Sequence, residues 1–137
     1  MVIHGVRMRP AMPTGLAVVR GKPIVSLPGF PVSAMIAFRT FVPALVAKLS
    51  GAPALIEPTV RAVLKRRVRG IEGSRTFVRV KVRKLRGGYV AVPLEAQRSS
   101  VLTSMVNANG IVEVPEDIGS IRKGAEVSVM LTGDVSG

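Results

Sequence analysis

Thr76-Phe77-Val78-Arg79-Val80-Lys81-Val82-Arg83-Lys84-Leu85-Arg86-Gly87-Gly88-Tyr89-Val90-Ala91-Val92-Pro93-Leu94 opens with an alternation of period two. Val78, Val80 and Val82 take one side, and Arg79, Lys81 and Arg83 take the other. A strand with one buried and one solvated face requires this pattern. Arg86-Gly87-Gly88 follows at once, and its glycines permit the positive φ of a tight hairpin, so a partner strand is expected over Tyr89–Leu94. Further strands are expected at Thr59–Arg67, Ile111–Val114 and Glu126–Thr132, with turns at Asn109-Gly110 and Lys123-Gly124. Roughly five or six short strands joined by tight turns make a small barrel or sandwich the expected architecture.

Towards the N-terminus the pattern changes. Gly51, Pro53 and Pro58 punctuate the chain and divide it into two expected regions, 1–54 and 55–137. In the first, Leu16–Val19 and Ile24–Leu27 flank Arg20-Gly21-Lys22-Pro23 and read as two strands around a turn. Pro31 then opens a helix in which Val32, Met35, Ile36, Phe38, Val42, Leu45, Val46 and Leu49 recur at helical spacing up to Gly51. Pro43 lacks the N–H that would bond the carbonyl of Arg39, so a kink or restart is expected there. The expected fold class is α+β: two strands and a helix, then the small barrel or sandwich.

The chain is 47% hydrophobic, which supports a real core. With no Trp and few other aromatics, that core must be built from Val, Leu, Ile, Ala and Met. The net charge of +12 favours anionic partners through long-range attraction. Arg7, Arg9, Arg20, Lys22, Arg39 and Lys48 all precede the first acidic residue, Glu57, so half of that charge lies in the first 56 residues without opposition. Cysteine is absent, which excludes disulfides, thiolate catalysis and thiolate metal sites and fits a reduced, cytoplasmic setting. No basic leader with an apolar run opens the sequence. Its longest uncharged stretch, Pro23–Phe38, is too short to span a bilayer and is interrupted by Pro28 and Pro31, so no membrane partner is expected.

The most pointed local feature is Ser26-Leu27-Pro28-Gly29-Phe30-Pro31-Val32-Ser33-Ala34, a strand leading through a Pro-Gly turn into a helix. Free N–H groups at a helix start, a glycine that allows close approach and the hydroxyl of Ser33 can together hold an oxyanion. The same residues also admit a plainer reading, with Pro28-Gly29 as a turn and Ser33 as a helix cap.

Three ordered blocks resemble the C-terminal part of the MoeA/gephyrin family, the molybdopterin molybdenumtransferases of molybdenum-cofactor biosynthesis. Leu27–Ala34 is similar to the family's Leu-Pro-Gly-Asn-Pro-Val-Ser-Ala signature, with Phe30 in place of Asn. His4–Gly15 resembles its His-Gly-Val-Ala-Met-Lys-Pro-Gly-Lys-Pro-Thr segment, with Arg9, Ala11 and Met12 at the Lys, Gly and second Lys. Pro93–Met105 and Ala108-Asn109-Gly110-Ile111 resemble its Gln-Gly-Ser-Gly and Ala-Asn-Gly blocks, with Arg98 and Ser100 replacing two glycines.

The resemblance implies a MogA-like α/β remnant followed by a barrel like the MoeA C-terminal domain IV. It also implies an activity: insertion of molybdate or tungstate into adenylylated molybdopterin, assisted by Mg2+. Arg9, Pro28, Gly29, Pro31 and Ser33 are the positions it implies for molybdate and molybdopterin binding. The family's magnesium-holding carboxylates and phosphate loop precede the region matched, so the chain is expected to be incomplete as an enzyme. It is expected to act as a homodimer or with the missing N-terminal domains.

A rival reading is a basic β-barrel that binds nucleic acid or another polyanion through Lys65-Arg66-Arg67-Val68-Arg69 and the Arg79, Lys81, Arg83, Lys84, Arg86 set. A solvated strand face explains the same charges, and no neighbouring aromatics offer a stacking platform, so nucleic acid is not the expected partner. His4 stands alone and reads as a turn or surface residue, and Glu113, Glu116 and Asp117 read as a surface loop, so no metal site is expected. Met8, Met12, Met35, Met105 and Met130 read as core or interface fillers.

Overall fold

The longest strand of the molecule, β7, is the 11-residue run Arg75–Leu85 that the valine alternation marks. In the computed structural model, which describes residues 2–98 and 102–135, it is one wall of a closed five-stranded barrel. The other walls are β5 (Thr59–Leu64), β8 (Gly88–Pro93), β9 (Gly110–Val114) and β11 (Glu126–Leu131). Their order is β7-β8-β5-β11-β9, and pairing of β9 back onto β7 closes the ring. Every pair is antiparallel except β5 with β8. Two short strands, β6 (Val68–Arg69) and β10 (Ser120–Ile121), form a separate ribbon at one end.

The barrel core is aliphatic. Leu64, Val80, Val82, Ala91, Val112 and Val129 are fully buried in it. The expected alternation holds for the valines but fails for one cation. Arg79 is completely buried rather than solvated, and its neighbour Phe77 is nearly so. Two coverings explain this: the first turns of the long helix lie over Phe77, and the segment after β8 folds back over Arg79. The outer face of β7 is therefore dry at Phe77 and Arg79.

Two side-chain amides complete the pairing of β7. Gln97 Nε2 donates to the carbonyls of Arg79 (2.9 Å) and Leu94 (2.7 Å), while its Oε1 accepts from the Arg79 N–H at 3.0 Å. Asn109 Oδ1 accepts from the Val82 N–H at 2.6 Å, and its Nδ2 donates to the carbonyls of Val82 (3.0 Å) and Asp134 (2.9 Å). Each amide stands in for a missing strand residue and satisfies backbone groups that water cannot reach. Asn109-Gly110 is thus not the turn its sequence suggests but the entry to β9. Gly110 has to be glycine, because a Cβ there would lie 2.6 Å from Val129 Cγ1 and 2.9 Å from Val82 Cγ2.

Upstream of the barrel, β1 (Val2–His4), β3 (Gly15–Val19) and β4 (Lys22–Ser26) form an antiparallel sheet in the order β1-β3-β4, one strand more than expected. Arg20 and Gly21 join β3 to β4 with φ of 49° and 76°, the positive angles of a two-residue hairpin. Helix α1 (Pro31–Ser50) begins on a proline, and Gly51 at φ 70° ends it. It runs through Pro43 without the expected restart. By length and composition α1 is long and apolar enough to cross a membrane, since it extends past Arg39, where the uncharged stretch ends. Its first two turns are instead occupied: Val32, Ile36 and Ala37 pack with Met8, Ala11, Phe77 and Ile111 in a second core that joins the helix to the barrel. Arg39 Nη2 adds an ion pair to Glu57 at 2.7 Å and reaches the Leu131 carbonyl at 3.4 Å. The five-residue helix α2 (Thr103–Asn107) lies beside β7.

Replacing Asn109 with Ala removes three hydrogen bonds and leaves the N–H and C=O of Val82 buried and unmet. We expect a loss of about 3 kcal/mol in denaturant unfolding, with an unchanged m-value. Gly110→Ala is expected to cost about 2 kcal/mol by overpacking, read the same way.

Candidate functional site

The strongest sequence candidate for chemistry is built by the exit from β4 and the start of α1. Phe30 occupies the N-cap position with extended backbone (φ −75°, ψ 130°) and offers no side-chain cap. Ser33 therefore sits at the third helical position and is not the cap. The Ala34 N–H already bonds the Phe30 carbonyl at 2.9 Å. With proline first, the N–H groups of Val32 and Ser33 are the donors a helix start leaves without an intrahelical acceptor. No acidic side chain stands in the first turn to meet them. Ser33 is 4% exposed, whereas Gly29 borders open space, so an added Cβ would touch nothing.

Arg9 reaches the same region by a separate route. It lies on β2 (Met8–Arg9), which pairs in parallel with β7 through Met8↔Arg75 and Arg9↔Thr76. Burial of Met8 and Ala11 against Val32, Ile36 and Ala37 sets the segment on the first two turns of α1. Arg9 itself is exposed, and among the described residues no hydrogen bond or ion pair ties it to Pro28, Gly29, Pro31 or Ser33. The fold thus brings the two blocks together through their apolar residues and leaves Arg9 exposed. The loop is held by Thr14, whose buried hydroxyl donates to the Ala11 carbonyl at 2.7 Å. Ala11 has φ 96°, a left-handed conformation that glycine adopts without penalty and alanine at a cost of about 1 kcal/mol. That geometry accounts physically for a glycine at this place in the family's segment.

The downstream blocks do something different. Gln97 and Asn109 spend their amides on β7, so their role in the described structure is to close the barrel. Ser99, Ser100 and Val101 lie outside the described residues. Arg79 is the functional-looking group that sequence reasoning misplaced. Its Nε donates to Ser104 Oγ at 2.9 Å, and its Nη2 lies 3.4 Å from the carbonyls of Ala96 and Arg98. Burial pulls its guanidinium below the ordinary arginine value, although an arginine stays charged near neutrality. Loss of Arg79 from the surface also shortens the basic stripe on which a polyanion reading rests.

Metal ligands are not assembled. Among the described residues no group of three or more His, Asp or Glu side chains could share an ion. Glu113 pairs with Arg75 at 3.1 Å, and His4 lies on the exposed strand β1.

Two family models match the chain. The MoeA C-terminal region (domain IV) matches residues 61–132, and the "Probable molybdopterin binding domain" matches residues 1–47. Among curated relatives, molybdopterin molybdenumtransferase 2 of Mycobacterium tuberculosis is 34% identical over an alignment of 131 residues that covers 92% of this chain and 32% of that protein. Among solved structures, the molybdopterin biosynthesis MoeA protein of Pyrococcus horikoshii superimposes with a TM-score of 0.74 at 35% identity, over 96% of this chain and 32% of that one. A molybdenum cofactor biosynthesis protein from Pyrococcus furiosus does so with a TM-score of 0.77 at 37% identity, over 93% of this chain and 44% of that one. The chain spans about a third of the length of the curated relatives it matches. The domain IV match alone takes in more than half of the residues, and on it the chain belongs to the MoeA family of molybdenum-cofactor biosynthesis proteins.

Proposed function

We propose that the chain supplies part of a molybdopterin molybdenumtransferase, contributing oxyanion-binding groups at which molybdate or tungstate is inserted into adenylylated molybdopterin. The observation that carries this reading is the uncapped start of α1: free N–H groups of Val32 and Ser33 behind an open Gly29, in a segment whose first 56 residues hold six cations and no carboxylate. An oxyanion there would meet the positive end of the helix, and the dipole and the unpaired donors act in the same direction. Arg9 adds a planar fork that can bond two oxygens of one tetrahedral anion. Pro28 and Pro31 restrict the loop on either side of Gly29, which lowers the entropy lost when a ligand orders it.

The segment before Glu57 offers no ligands for magnesium. Mg2+ requires carboxylate oxygens, and the N-terminal 56 residues contain none. On this reading the metal and the nucleotide-handling chemistry belong to further domains, with which the chain would associate in a cytoplasmic enzyme that pairs into a dimer. The chain's own part is to bind and orient the anion and the pterin.

Isothermal titration with molybdate, tungstate and sulfate at moderate salt tests the reading. Molybdate or tungstate should saturate a site and outcompete sulfate. Arg9→Ala should weaken that site about tenfold or more, the size of one charge-assisted contact. Gly29→Ala, which meets no atom in the fold, should lower anion affinity without lowering Tm. Equal binding of sulfate, or indifference to both substitutions, would remove the site.

A further inference from the structure

On the outside of the barrel, the second half of β7 and the strands β8 and β5 form one continuous surface. Register sets Arg83, Val90 and Val63 in a row across the three strands, with Lys81 and Val92 in the next row. Lys65 extends that second row, because its N–H bonds the Ala91 carbonyl at 2.9 Å and prolongs the ladder between β5 and β8. Their sequence neighbours Ala62, Leu64, Val82 and Ala91 are buried in the barrel, so strand alternation sends the six outward. The result is an aliphatic strip over β8 that spreads to Val63, itself 38% exposed, with cations on both sides. Among the described residues Lys65, Lys81 and Arg83 take part in no ion pair. The neighbouring carboxylates are already engaged, Glu126 with Arg61 at 2.6 Å and Glu95 with Arg66 at 3.3 Å.

We infer that this face docks an amphipathic helix of a partner protein, with aliphatic side chains on the strip and carboxylates along both flanks. The widths agree. Adjacent strands lie about 4.8 Å apart, so the cations of β7 and those of β5 stand about 10 Å from each other, the breadth of an α-helix with its side chains. A helix lying along β8 rests its apolar stripe on Val63, Val90 and Val92. Its flanking glutamates or aspartates then meet Lys81 and Arg83 on one side and Lys65 on the other, which gives the contact its sign and its orientation. An apolar centre inside a charged margin is the anatomy of a protein interface. It suits a nucleic acid poorly: phosphates would dry the valines without covering them, and no aromatic ring stands ready to stack a base, since Tyr89 packs against the barrel core on the other side of β8. A second copy of the chain would set the same cations face to face. The inference is independent of the proposed anion site and uses none of its residues.

The chain is titrated, with its backbone amides followed by NMR, against two leucine- and glutamate-rich peptides of equal length and composition. In one the leucines recur at helical spacing with glutamates on both flanks; in the other the order is scrambled. Single-stranded and duplex DNA and phosphatidylglycerol vesicles are run beside them. The ordered peptide should saturate and shift the amides of Val63, Arg83, Val90 and Val92. Lys65→Glu combined with Arg83→Glu should weaken it about tenfold or more, and a peptide with lysines in place of its glutamates should restore binding to that variant. Val63→Gln leaves the charge unchanged and should still weaken the ordered peptide about fivefold, as should Val90→Thr, which keeps the branched shape. Lys65, Val63 and Arg83 are exposed, so their substitution should move the Tm by no more than about 2 °C. The inference is overturned if neither peptide binds or if the scrambled one binds as well. Charge reversal that acts while both valine substitutions are silent also overturns it, since that is the behaviour of a polyanion surface. So do DNA or vesicles that bind more tightly than the ordered peptide, and so does a dimer of the chain that buries this face.

Discussion

Closure of the barrel on β7 is the constraint from which the rest of the molecule takes its position. The strand is paired along its first half to β9 and along its second half to β8, and where those partners hand over, its backbone polar groups would be left dry. Gln97 and Asn109 bond those groups at Arg79 and Val82. A buried amide that pairs with both the N–H and the C=O of one residue recovers what a ladder position would have given. The same strand also receives β2 on its outer edge and the first turns of α1 on its face. Arg9 and the start of α1 are therefore positioned by the barrel, although neither belongs to it.

Much of this was legible in the sequence, and what was not has an identifiable cause. The strands of the barrel follow from valine alternation, and both ends of α1 follow from Pro31 and Gly51. These are local signals, set by φ/ψ preference and by the period of burial. Arg79 was misread because alternation records only which side of a strand faces the barrel interior; it cannot show that a later segment, Leu94 to Arg98, returns to cover the other side. Asn109-Gly110 was misread because the dipeptide that suits a hairpin also suits a tight approach of strands, and only the crowding of Val82 and Val129 around Gly110 separates the two.

The candidate site was legible only in part for the same reason. The uncapped helix start is a local property and could be read from Pro28-Gly29-Phe30-Pro31. The approach of Arg9 to that region is not local. It depends on β2 pairing in parallel with β7 and on Met8 and Ala11 packing against α1, contacts between residues far apart in sequence. A two-residue strand leaves almost no periodic trace, so nothing in the order of residues announces it.

The two parts of the chain differ in how far they satisfy themselves. The barrel has no free edge within its ring and a core of fully buried aliphatic side chains. The sheet and the second half of α1 expose valine, leucine and isoleucine in a stretch that carries no acidic residue before Glu57. Exposed apolar area of this extent is unfavourable in water and favourable in an interface, and uncompensated charge of one sign sets the sign of what can complete it. A helix start that leaves two donors unmet belongs to the same half. Incomplete burial, unbalanced charge and unused hydrogen-bonding capacity thus coincide in residues 1–56, the half that holds the proposed anion site.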